Sequence, residues 1–126
     1  MFSHIVVGSN DLDRSRKFYD ATFGALGATA GTIDAKGRLV YSKDGARFLI
    51  TRPIDGREAT HANGGTIGLK MDSPEMVKAW HDAGVANGGR SIENPPGIRE
   101  SAAGKLFLAY LRDPDGNKLC GRSAVS

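Results

Sequence analysis

The stretch DPDGNKLCGRS, residues 113–123, carries the one cysteine of this chain, Cys120, just past a turn-forming Asp-Pro-Asp-Gly. A thiol there can ligate a metal, attack as a nucleophile, or fill space. Nucleophilic use needs a neighbouring base or cation to supply thiolate. His4 is a residue of a type that can serve as general base at neutral pH, or equally sit as a neutral, hydrogen-bonded histidine on a sheet face. Tyr110 can donate a hydrogen bond to an oxyanion or pack with its hydroxyl at a rim. Arg99 is the cation in the loop NPPGIRESAAGK, 94–105, that can reach an anionic substrate, and Lys105 reads as solvated. His61 is expected at the surface, and His81, next to Trp80, is expected to face solvent. GTIG and GVANGGR lack the Gly spacing and Lys-Ser/Thr of a phosphate loop.

The elements that must position these residues come from an internal repeat. A shift of 62 positions lays SHIVVGSND over GTIGLKMDS, with Ile5 on Ile67, Val7 on Leu69, Phe18 on Trp80 and Gly27 on Gly89. Each copy begins with a short β-type run. A helix follows, capped by Asn10 or Asp11 in the first copy and by Ser73 with Pro74 in the second. Three strands are then expected: Thr29–Asp34, Arg38–Ser42 and Ala46–Arg52 in the first copy, and Arg90–Glu93, Leu106–Arg112 and Asn117–Arg122 in the second. Asp44-Gly45 and Asp115-Gly116 are matching turn signals. Loop 94–105 is long for a compact domain and reads as a lid or specificity loop. The expected class is α+β, two tandem βαβββ modules in one domain, 1–126. Module one spans about 1–53, a polar linker about 54–63, and module two about 64–126. Two curved sheets facing one another would enclose an open, half-barrel cleft, the usual place for a small ligand.

Composition agrees with a small-molecule protein. The net charge of +3 is spread among interleaved acids and bases, with no basic run between aromatics, so no nucleic-acid footprint is expected. No stretch reaches the roughly 18 apolar residues of a membrane span. No signal peptide is read in MFSHIVVGSNDL, and one cysteine excludes an internal disulfide framework, so a cytoplasmic protein is expected.

MFSHIVVGSNDLDRSRKFYDATFGALG resembles the opening of the vicinal-oxygen-chelate superfamily of glyoxalase I, bleomycin-resistance proteins and extradiol dioxygenases. YLRDPDGNKLCG, 110–121, is similar to its closing strand pair, and with the repeat the resemblance covers nearly the whole chain. It implies paired βαβββ modules around a site whose metal ligands fall here on His4, Leu49, Thr66 and Cys120. A His/Glu set has thus become His, Leu, Thr, Cys, with two donors at best, so no cofactor is expected and a divalent metal is disfavoured. The resemblance also matches Tyr110 to a site tyrosine of the dioxygenases, and makes His4 the neighbour a Cys120 thiolate would need. The competing reading of Cys120 is a small buried apolar side chain standing where a ligand was lost.

The resulting expectation is a bleomycin-resistance-like homodimer binding an apolar, aromatic or anionic small molecule in a cleft of His4, Leu49, Thr66, Arg99, Tyr110 and Cys120. The rival is a glyoxalase-like lyase, isomerase or dioxygenase with His4 as base and Tyr110 as oxyanion donor, or with a His4–Cys120 metal site. A vestigial structural or regulatory module is the third reading.

Overall fold

The computed structural model describes residues 1–125. The first module is β1 (His4–Gly8), α1 (Leu12–Gly24), β2 (Thr32–Ile33), β3 (Leu39–Lys43) and β4 (Ala46–Thr51). The second is β5 (Ile67–Lys70), α2 (Pro74–Ala86), β6 (Arg90–Ser91), β7 (Gly97–Ser101), β8 (Gly104–Arg112) and β9 (Lys118–Ala124). The helix signals act where they were read. The Asp11 carboxylate accepts from Arg14 N, and the Ser73 hydroxyl accepts from Met76 N, each satisfying an amide that a helix start leaves free. Helix α1 stops where Gly27 takes φ 85°, a conformation that costs glycine nothing.

The first sheet runs β1-β4-β3-β2, with β1 parallel to β4; the second runs β5-β9-β8-β6, with β5 parallel to β9. Alternation decides the faces. Ile5 and Val7 turn toward the core while His4 and Val6 stay exposed. In β8, Phe107, Ala109 and Leu111 are buried and alternate with half-buried Leu106, Leu108 and Tyr110. Each sheet thus packs one face on its helix and leaves the other open.

The helices also pack on each other, so both modules share one core. Gly84 makes this possible: a Cβ there would lie 2.4 Å from Leu111 Cδ1 and 3.2 Å from Phe18 Cε1. The 113–117 turn completes the join. The buried Tyr19 hydroxyl donates to Asp113 Oδ2 at 2.5 Å, and Asn117 Nδ2 donates to the same oxygen at 2.8 Å and to Gly8 O at 3.1 Å. Asp115 accepts from Asn10 N, Arg14 Nη2 and the Ser15 hydroxyl. Burial pushes the Asp113 carboxyl upward in pKa, although its hydrogen bonds pull it down.

Three expectations need correction. Loop 94–105 is no free lid: Gly97–Ser101 forms β7, an antiparallel hairpin with β8. His81 does not face solvent; it is buried, and its Nε2 lies 2.8 Å from the Ser91 hydroxyl. The strands expected at 29–34 and 90–93 shrink to two residues each. Among the described residues no helix is long and apolar enough to cross a membrane.

Candidate functional site

The edge strands β1 and β5 do not pair. Asn117 tethers their surroundings where β1 ends, at Gly8. Where β1 begins and β5 ends, a groove of about 330 Å³ opens between the modules. Its walls include Ile5, Phe23, Tyr41 and Phe48 from module one and Leu69 from module two, with exposed His4, Arg47 and Lys70 at the rim. Helical spacing puts Phe23 on the wall, and strand alternation puts Ile5, Phe48 and Leu69 beside it. The Tyr41 hydroxyl donates to Asp20 Oδ1 at 2.6 Å, which fixes the ring as wall. Burial and that bond hold the Tyr41 proton well above the usual phenol range.

A second constellation occupies the open face of the second sheet. Tyr110 and Cys120 are cross-strand partners, and Gly68 stands opposite Cys120 on its other side. The Lys118 ammonium lies 5.1 Å from the Tyr110 ring centroid and pairs with Glu93. Burial pushes the Cys120 thiol up in pKa, against the pull of the Tyr110 hydroxyl and Arg122. It is therefore a thiol at neutral pH and a poor nucleophile. Burial, then Cys120, also raises the Tyr110 phenol, which stays a donor. Arg99, on β7, acts on Tyr110 electrostatically, and its Nη2 donates to Pro95 O at 2.8 Å.

The residues expected at one site are therefore divided. His4 belongs to β1, exposed, with Nδ1 2.7 Å from the Ser3 hydroxyl. Leu49 is 1% exposed on β4, on the face opposite Phe48 and Ile50, in register with Val6 and Val40. Thr66 is exposed immediately before β5. Tyr110, Cys120 and Arg99 gather on the second sheet. Of the six, His4 alone lines the groove. Parallel register supports the alignment behind the metal positions: Val6 pairs with Leu49 as Gly68 pairs with Cys120. The donors do not fit a catalytic divalent ion, since leucine has no lone pair to offer and a neutral threonine hydroxyl is a weak ligand. Among the described residues, no three of His, Cys, Asp or Glu come together.

Sequence reasoning missed Lys70 and Arg47 at the groove, and Arg122 across from Lys70. Each lies in a short strand with no motif around it. The available signal was alternation, which places Lys70 and Arg122 on the open face.

Residues 1–120 match the family described as the Glyoxalase/Bleomycin resistance protein/Dioxygenase superfamily. A crystal structure of a glyoxalase/bleomycin resistance protein from Albidiferax ferrireducens T118 is 53% identical, with a TM-score of 0.94 over 98% of this chain and 99% of that one. The lactoylglutathione lyase of Agrobacterium tumefaciens shares the fold at 18% identity and a TM-score of 0.68, over 98% of this chain and 93% of that one. The long tail fiber protein Gp37 of Enterobacteria phage K3 is 32% identical over 78 residues, 62% of this chain. The chain spans only 6% of that protein's length.

Proposed function

Because the chain belongs to the Glyoxalase/Bleomycin resistance protein/Dioxygenase superfamily, we propose that it is a small-molecule-binding protein that holds an apolar ligand between its modules and uses no resident divalent metal. The apolar groove of about 330 Å³ between β1 and β5 carries this reading. Aromatic and aliphatic walls with a few polar groups at the mouth are what a small-ligand site requires. The His, Leu, Thr, Cys donor set supports the metal-free part. Exposed Val6 beside half-buried Val40 on the open face of the first sheet supports the homodimer in this reading, as apolar surface that a second copy would cover. A cytoplasmic location suits the buried free thiol.

The enzymatic alternative rests on one observation, the exposed imidazole of His4 at the groove rim. Its other half, Tyr110, sits on the open face of the second sheet, away from the groove wall.

Calorimetric titration of the purified chain with naphthamide tests the reading. Binding is expected, and Ala46→Trp, which places an indole at the exposed groove edge, should weaken it about tenfold, the equivalent of about 1.4 kcal/mol. Equal affinity in the variant would remove the groove from the function. Metal analysis of protein purified without a chelating tag is expected to find no stoichiometric Ni, Fe, Mn or Zn. One equivalent, lost on His4→Ala, would overturn the metal-free statement.

A further inference from the structure

Lys70 lines two cavities. One is the apolar groove; the other is a recess of about 410 Å³ at the end of the second sheet, bounded by Asp72, Leu106, Arg122 and Ala124. In the parallel pair β5/β9, Lys70 stands directly across from Arg122. Like charges facing each other across strands destabilise a sheet. Neither is relieved by an ion pair among the described residues, whereas Lys118, two residues before Cys120, is paired with Glu93. Asp72 is the one acid on the recess wall, and it forms no ion pair with either cation. The fold does not impose the charge: the register equivalents in module one are Gly8 and Thr51. Arg47 adds a cation at the groove rim, and the acid of that rim, Asp44, is already engaged by Lys43 at 3.5 Å.

We propose that the ligand is an amphipathic carboxylate, its apolar body in the β1/β5 groove and its acid held between Lys70 and Arg122. The inference rests on the reading of the groove as the ligand site and adds the ligand's charge and orientation. A guanidinium offers a planar fork that matches a carboxylate, and the lysine ammonium supplies a second, mobile charge. An incoming carboxylate removes the repulsion between two unpaired cations, so this end of the site is selective for an acid over its amide.

The test compares naphthoate with naphthamide, which share an apolar body, by calorimetry on the full chain. Naphthoate should bind about tenfold tighter, the range of one charge-assisted hydrogen bond. The advantage should shrink at high salt, as exposed charge interactions do. Lys70→Gln and Arg122→Gln should each weaken naphthoate about fivefold and leave naphthamide within about twofold. Lys118→Gln should change neither, because that cation is paired. Both cations are exposed, so their variants should melt with the parent protein. Equal binding of acid and amide by the parent protein, or variants with no selective loss of the acid, would overturn the proposal while leaving the groove assignment standing. If neither probe binds, the groove assignment fails and this inference fails with it.

Discussion

Register equates Val6, Val40 and Leu49 of the first sheet with Gly68, Tyr110 and Cys120 of the second, and Gly8 and Thr51 with Lys70 and Arg122. At these equivalent positions the first sheet carries mostly apolar side chains, with His4 and Arg47 as the polar pair at one end of the same face, while the second carries a phenol, a thiol and cations. The turns diverge in the same way. Asp44, in the β3–β4 turn, is 85% exposed and touches only Lys43, while its counterpart Asp115 is 1% exposed and bonds three groups of module one. The cores differ as well. Module one packs Tyr19, Phe23, Tyr41 and Phe48 in mutual ring contact, where module two relies on Trp80 over Gly121. Duplication kept the backbone pairing, and the side chains at equivalent positions took separate tasks: apolar covering and groove wall in the first copy, charge and inter-module clamping in the second.

The widest split should appear at the turns. Asp115→Asn removes the buried charge that Arg14 pairs with and replaces one accepting oxygen by an NH2 donor beside the Ser15 hydroxyl, costing about 2 kcal/mol in urea unfolding. Asp44→Asn loses one exposed ion pair and should stay within about 0.5 kcal/mol. Equal costs at the two positions would mean that the second turn is an ordinary hairpin end with no clamping role. Because the clamp joins modules, the Asp115 variant should also broaden the transition, detected as a lower denaturant slope.

Much of the duplicated framework is legible in the sequence. The repeat, both helix caps and the two Asp-Gly turns follow from local chemistry and periodicity, and the strand register agrees with them. What escaped was long-range. Strand β7 lies in a polar segment with two prolines and an exposed Ile98, so nothing alternates there to announce a strand. His81 sits in a helical pattern whose neighbours made it look solvated; it is buried because β6 brings Ser91 to its ring. The Lys70–Arg122 opposition exists only once β5 and β9 are paired across some fifty residues of chain. The shared core of the two modules depends on the helices meeting each other, a contact that Gly84 permits but does not advertise.

A smaller effect should appear at Tyr19, the aromatic of module one that reaches into the clamp of module two. Tyr19→Phe keeps the ring contacts and deletes the bond to Asp113, costing about 1 kcal/mol at neutral pH. Burial, then the Asp113 charge, raises the Tyr19 phenol well above its ordinary value of 10.0. A raised folded pKa means that this stabilising contribution is fully present below the unfolded pKa and is lost as pH rises beyond it, because the unfolded phenol ionises first. The parent protein should therefore lose stability above about pH 10, by up to about 1.4 kcal/mol per pH unit for each such tyrosine. The Phe variant should show a shallower alkaline limb, with the remainder due to Tyr41 and Tyr110. Identical limbs would place the phenol outside the buried clamp.

The smallest effect is expected at Cys120, and it asks whether the polar face of the second sheet is reactive or only polar. Its thiol pKa is raised by burial, against the pull of the Tyr110 hydroxyl, and Sγ lies 3.8 Å from Gly121 O. Alkylation by iodoacetamide near neutral pH should run at least about tenfold slower in the folded protein than in urea, because both the thiolate fraction and access are reduced. Cys120→Ser exchanges a soft sulfur for a hydroxyl beside Tyr110, which can hydrogen-bond to it, so stability should change by less than about 1 kcal/mol and naphthoate affinity by less than about twofold. Rapid labelling in the folded state, or loss of binding in the serine variant, would move the ligand from the groove onto the Cys120–Tyr110 face. The second sheet would then hold the site, and the apolar groove would be left as packing between the modules.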